Sequence, residues 1–295
     1  MQKDSYESSE LVLSPDGRLY HIHAVGEELA DDIFLVGDPG RVDMFRDFFE
    51  TVDYESSNRE MRLLTGLCRG HRVSVLSTGM GCDNIDIVMT ELDAAANLVA
   101  HRGEVDASHP HRSLNIVRIG TCGSLCAQVG TGSVVASAYA VGLDGLMNYY
   151  ACDNSLFEED MLAAFEAHMG LPAGQARPYC VRGSEALLRR MAEGMHKGIT
   201  VTAPGFYGPQ GRNIRLRPAV ADLNERLMAF GWNGLSVTNL EMETSAIYGF
   251  ARQLGHQALT VCLVIANRVD GTFLNDYHDQ MHALIDKLMS RLVAS

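Results

Sequence analysis

Arginine is permanently cationic and presents a planar fork of donors that matches the oxygens of phosphate. Three arginines of this 295-residue chain stand at or near expected strand ends: Arg41 in Gly37-Asp38-Pro39-Gly40-Arg41, Arg59 in Asn58-Arg59-Glu60, and Arg118 in Arg118-Ile119-Gly120-Thr121-Cys122-Gly123. The plain alternative for each is a solvated or salt-bridged surface residue. Arg118 resists it, because it lies inside the apolar run Ile116-Val117-Arg118-Ile119, where a charge is costly unless it meets an anion. Gly37 and Gly120 let backbone N–H groups approach the same anion, and the Thr121 hydroxyl adds a donor. Neither GxGxxG nor GxxxxGK[ST] occurs in a fitting context, so the expected ligand is free phosphate or a similar small oxyanion rather than a dinucleotide.

Two further segments carry chemistry. Glu241-Met242-Glu243 is expected to open a helix, where acids complement the dipole; alternatively, one of these carboxylates accepts the two hydroxyls of a sugar diol. Phe206-Tyr207-Gly208-Pro209-Gln210-Gly211-Arg212 places an aromatic ring, an amide and a guanidinium on one loop, which is either an ordinary turn or a slot for a flat, imide-bearing heterocycle. His278 and His282 share a helix face in HDQMH rather than HExxH, and the pairs His21/His23 and His109/His111 have no companion ligands nearby, so no metal site and no cofactor is expected.

The elements that must position these groups alternate strand with helix. Ile33–Val36, Val73–Ser77, Leu114–Ile119, Val134–Val141 and Leu259–Ala266 read as buried strands. Ile85, Val88, Met89, Leu92, Ala96 and Val99 follow helical spacing, with Asp83 or Asn84 as the expected N-cap. Further helices are expected over Ser184–Met195, from Leu240 to Gly255, and over Asp276–Val293, with a polar loop over 101–113. This is the pattern of a layered α/β fold in one domain, 19–295, preceded by a polar arm, 1–18. In such folds ligands gather where strands end.

Composition bounds the partners. Lys and Arg number 24 and Asp and Glu 37, a net charge of −13, which argues against nucleic acid or an anionic membrane as partner. No apolar run approaches the ~20 residues that span a bilayer, and the first residues lack an apolar signal core. Seven cysteines without CxxC spacing read as free thiols in a reducing cytoplasm.

The segments YHI (20–22), VGDPGRV (36–42), NREM (58–61), STGMG (77–81), RIGTCG (118–123), FYGPQGR (206–212), LEMET (240–244) and ANR (266–268) occur in an order that resembles the nucleoside phosphorylase-I family, with Gln210-x-Arg212 resembling its pyrimidine branch. The resemblance implies a three-layer α/β/α fold around a mixed, partly barrel-like sheet, and phosphorolysis of uridine to uracil and ribose 1-phosphate. It implies that Gly37, Arg41, Arg59, Arg118 and Thr121 hold phosphate, that Met242 and Glu243 hold ribose, with Glu243 on the 2′-hydroxyl, and that Phe206, Gln210 and Arg212 hold uracil. His21 and Arg59 match residues lent by a neighbouring subunit, which implies a homodimer sharing its sites, alone or assembled into a hexamer.

Some positions depart from the family. Cys122 stands where Thr or Ser is common. Glu60 and Met80 match a monovalent-cation site between subunits, but Asn84 replaces its Ser and leaves that ion open. The stretch 144–200 matches least and is the expected seat of substrate breadth. Relatives that cleave purine nucleosides carry Ser-Asp after the last strand, where this chain reads Ile265-Ala266-Asn267-Arg268. The competing readings are a purine nucleoside phosphorylase or nucleosidase on the same fold, and a non-catalytic nucleoside-binding protein.

Overall fold

The computed structural model describes residues 6–98 and 110–293. Among these residues, twelve strands form one mixed sheet. Its spine is parallel: β1 (Asp32–Val36) lies between β4 (His71–Ser77) and β5 (Asn115–Ser124), and β11 (Gln257–Asn267) runs along the other side of β5. All five residues of β1 are buried, as a strand covered on both faces requires. The hairpin of β2 (Thr51–Asn58) and β3 (Met61–Cys68) extends one edge antiparallel to β4. Beyond β11, the sheet continues through β6 (Val134–Gly142), β8 (His196–Thr202) and β10 (Leu235–Glu241). The end of β10 then pairs with the end of β5, Asn239 opposite Ser124 and Leu240 opposite Gly123, closing a five-stranded barrel. The short β7 (Tyr179–Arg182), β9 (Gly231–Trp232) and β12 (Thr272–Phe273) pair with β6, β10 and β11 respectively.

Helices cover the sheet. α2 (Cys82–Asn97) and α6 (Thr244–Gln253) pack Ile85, Val88, Met89 and Leu92 with Ile247, Tyr248 and Phe250. α4 (Glu185–Met191) and α7 (His278–Val293) close another core with Val117, Ile119, Leu259 and Val261. Leu284, Ile285, Leu288 and Leu292 fall on one face of α7, and burying each such side chain contributes ~1.5–3 kcal/mol. α3 (Glu159–Met169) and α5 (Leu223–Ala229) cover Ile199, Val201 and Val237. α1 (Pro39–Met44) follows β1 directly. The arm is tied down over the described residues 6–18, Leu13 bridging to the fully buried Leu19.

The structure departs from the periodicity-based expectations where the chain approaches the cavity described below. The N-cap of α2 is Gly81, not Asp83 or Asn84: its φ of 96° suits glycine and directs its N–H to Glu243 Oε1 at 2.8 Å. The glycine segment 120–123 is not a turn after β5 but its continuation into the barrel seam. Leu240 and Glu241 end β10 rather than opening α6, which begins at Thr244. α4 stops at Met191, so only its Ser184 cap and first turns match the expected helix. Of the expected loop 101–113, only residues 110–113 are among those described.

Candidate active site

A cavity of about 520 Å³ opens where β1, β5, β10 and β11 end. It is lined by Gly37, Arg41, Arg118, Thr121, Phe206, Gln210, Arg212, Met242 and Glu243, which come from separate chain segments. Nine of the eleven residues expected at the site therefore share one chamber. The other two do not. His21 sits on α2, its Nδ1 2.6 Å from Glu91 Oε1, with the amides of His21 and Ile22 donating to the same carboxylate. Arg59 is exposed at the β2–β3 turn with φ 54°.

At one end of the cavity, the Asp38 carboxylate accepts the Gly40 N–H at 2.9 Å and Pro39 opens α1, which presents Arg41 to the chamber. The buried Arg41 guanidinium donates to the Ile119 carbonyl at 3.2 Å and has no carboxylate partner among the described residues. Burial pushes its pKa down, and Arg118 adds to the shift. An unpaired buried guanidinium facing a cavity is an anion site in physical terms.

Arg118 is organised differently. Its Nη2 donates to Glu243 Oε2, and its Nη1 lies 3.4 Å from Glu241 Oε2. Burial opposes its charge, yet Glu243, Cys262 and Glu241 outweigh burial and hold its pKa above the ordinary arginine value. Gly120 makes room for this guanidinium, because a Cβ there would come within 2.1 Å of Arg118 Nη1. The anion that the apolar run around Arg118 demands is thus supplied first by the protein. Glu243 also accepts the Gly81 amide; burial raises its pKa despite Arg118.

At the other end, the buried Gln210 is clamped. Its Oε1 accepts from Arg212 Nη1 at 2.8 Å and from Arg268 Nη2 at 2.9 Å, while Arg268 Nη1 holds its backbone carbonyl at 2.7 Å. Gln210 Nε2 therefore remains for a ligand acceptor. Arg212 also donates to the Phe206 carbonyl and lies 3.7 Å above the Phe206 ring centroid. Neither arginine has a carboxylate partner among the described residues. Burial, reinforced by Arg212, pushes the Arg268 pKa down to about 10. The two guanidinium groups make this end of the chamber favour negative charge.

Arg268 is absent from the sequence-derived site, and Glu241 enters it only as the alternative to Glu243 for a sugar diol. Arg268 follows the buried strand β11 much as Arg118 lies in buried β5, and that placement is the available signal. Cys122, Phe273 and Tyr277 also line the cavity. Glu60 and Met80 line it near Gly79, where a Cβ would meet Asn84 Nδ2 at 2.3 Å and Glu60 Cγ at 3.0 Å.

Among the described residues, Asp93, His111 and His256 are close enough to share a metal. However, the Leu114 N–H donates to His256 Nδ1 at 3.2 Å, which places the ring proton on Nε2, 3.2 Å from Asp93, and leaves no lone pair there for a metal. No described helix is long and apolar enough to cross a membrane.

The phosphorylase superfamily profile matches residues 32–294. A uridine phosphorylase of Thermococcus kodakarensis is 28% identical over 276 residues, covering 92% of this chain and 85% of the relative. A purine nucleoside phosphorylase (DeoD-type) of Myxococcus xanthus is 30% identical over 261 residues, covering 88% and 90%. The solved Trypanosoma brucei nucleoside phosphorylase, described as showing uridine phosphorylase activity, superposes with a TM-score of 0.85 at 31% identity, covering 97% of this chain and 100% of that one. With the cavity at its strand ends and a match over nearly its whole length, the chain belongs to the phosphorylase superfamily.

Proposed function

We propose that this chain is a uridine phosphorylase, reversibly converting uridine and phosphate to uracil and ribose 1-phosphate. The observation that carries the reading is the Gln210 clamp: two arginines take its Oε1, leaving an amide donor and a cationic wall for an imide base that departs as an anion. Cleavage of the glycosidic bond builds positive charge on the sugar and negative charge on the base. Phosphate held by Gly37, Arg41, Arg118 and Thr121 stabilises the sugar cation and attacks it, Met242 and Glu243 hold the ribose, and Phe206, Gln210 and Arg212 hold uracil. Preorganised charge then supplies most of the rate, without a protein nucleophile.

The remaining assignments follow the same reading. His21 and Arg59, outside their own chain's cavity, complete the site of a second copy, so that the working unit is a homodimer sharing two sites. The seven free cysteines suit a reducing cytosolic setting. Phosphate is a co-substrate, and the chemistry needs no cofactor.

The test is base release from uridine, thymidine and inosine with and without phosphate. Phosphate-dependent loss of uridine supports the proposal. Preferential loss of inosine would move the assignment to the purine branch, and binding without turnover would make the chain a nucleoside-binding protein.

A further inference from the structure

From Glu241, at the cavity wall beside Arg118, a set of polar groups without a role in the proposed reaction runs back into the protein. Glu241 accepts the Thr202 hydroxyl at 2.6 Å, the Glu243 N–H at 3.0 Å and the Thr244 N–H at 2.9 Å. Thr202 Oγ1 in turn accepts the Ser245 N–H at 2.9 Å. The Ser245 hydroxyl donates to Asp144 Oδ2 at 2.8 Å; Tyr179 O–H and Leu146 N–H donate to Asp144 Oδ1 at 2.9 and 2.8 Å. Thr202, Ser245, Glu241 and Tyr179 are buried. The half-buried Asp144 side chain thus accepts from three neutral donors that come from separate segments.

The backbone is shaped to admit this set. A Cβ on Gly142 would come within 2.4 Å of the Tyr179 ring and 2.7 Å of Asp144 Oδ2. The Cys82 thiol donates to the Met242 carbonyl at 3.2 Å from the other side. Together these bonds hold residues 241–243 between the end of β10 and the start of α6.

We infer that Asp144, with Tyr179, Ser245 and Thr202, is a positioning set that fixes the Glu241–Glu243 turn so that the Glu243 carboxylate meets a ribose 2′-hydroxyl, and so sets the preference for ribosides over 2′-deoxyribosides. The inference rests on the proposed function and deepens it. Thr202 and Asp144 act through Glu241 and the first turn of α6; neither touches the sugar. A looser turn weakens the hydrogen bond that a ribose makes and a 2′-deoxyribose cannot.

The experiment compares kcat/KM for uridine and 2′-deoxyuridine in the wild type, Asp144→Asn, Thr202→Val and Thr202→Ser. Asp144→Asn and Thr202→Val are expected to lose about tenfold with uridine and about twofold or less with 2′-deoxyuridine. Thr202→Ser, which keeps the hydroxyl, is expected to retain the wild-type ratio. An unchanged ratio in Asp144→Asn and Thr202→Val, with a lower melting temperature alone, would overturn the inference, as would Thr202→Ser behaving like Thr202→Val. A wild type that cleaves neither nucleoside with phosphate would instead overturn the proposed function, and the inference with it.

Discussion

Arg118 and Glu243 are direct partners: the guanidinium Nη2 donates to the carboxylate Oε2, and both side chains are almost wholly withdrawn from solvent. The residue expected to hold phosphate and the residue expected to hold ribose therefore form one ion pair at the floor of the chamber. Their separation in sequence, 118 and 243, hides this. Breaking such a pair leaves one buried charge uncompensated, whereas removing both partners costs far less.

Arg118→Ala is accordingly expected to abolish phosphorolysis and to lower stability by about 3 kcal/mol. The double variant Arg118→Met/Glu243→Gln should regain part of that stability in urea titrations while staying inactive, Glu241 keeping its Thr202 and backbone N–H donors but losing the nearby cation. Near-normal activity in Arg118→Ala would show that phosphate binds elsewhere.

Gly120 permits the Arg118 geometry without contributing a side chain of its own. Gly120→Ala places a methyl group where Arg118 Nη1 lies, and Glu243 prevents the guanidinium from swinging aside. Phosphate KM is expected to rise about tenfold or more with Arg118 itself intact. An unchanged phosphate KM in steady-state assays would place the oxyanion away from this strand.

Burial raises the Glu243 pKa in spite of Arg118, so the folded chain binds that proton more tightly than the unfolded chain does. A raised carboxyl contributes stability that is complete below the ordinary carboxylate value and is lost as pH rises through the folded value. Glu243→Gln lacks this titration. The difference in unfolding free energy is therefore expected to shift in favour of the variant as pH rises from the ordinary carboxylate value through the raised folded one. A difference independent of pH would mean that Arg118 cancels the effect of burial.

Arg268 holds Gln210 by two bonds. Arg268→Gln is expected to lower kcat/KM for uridine by roughly 10–100-fold, with a small change in melting temperature. An equal collapse of folding and activity would make the clamp a structural brace for the 206–212 loop.

If Arg59 acts on a partner's site, a mixture of inactive Arg59→Ala and inactive Arg118→Ala chains, refolded together, should recover about a quarter of wild-type activity, because half the dimers then hold one intact site. No recovery would place Arg59 outside catalysis.

The sequence by itself determined the α/β alternation, the buried strands and nine of the residues that share the cavity, because strand burial and glycine punctuation are local and because an arginine in an apolar run has few harmless explanations. It also carried the motifs by which the family is recognised. Tertiary structure decided the rest. Residues 120–123 continue as strand because β11 pairs with them along their whole length and β10 joins at Gly123 and Ser124 to close the barrel. Gly81 became the α2 cap because its amide has Glu243 to meet, a partner 162 positions away. Arg268 on Gln210, Thr202 on Glu241 and Ser245 on Asp144 are side-chain contacts between distant segments. Such contacts leave no period in the chain, because hydrogen bonds depend on where strands end in space and not on the number of residues between them.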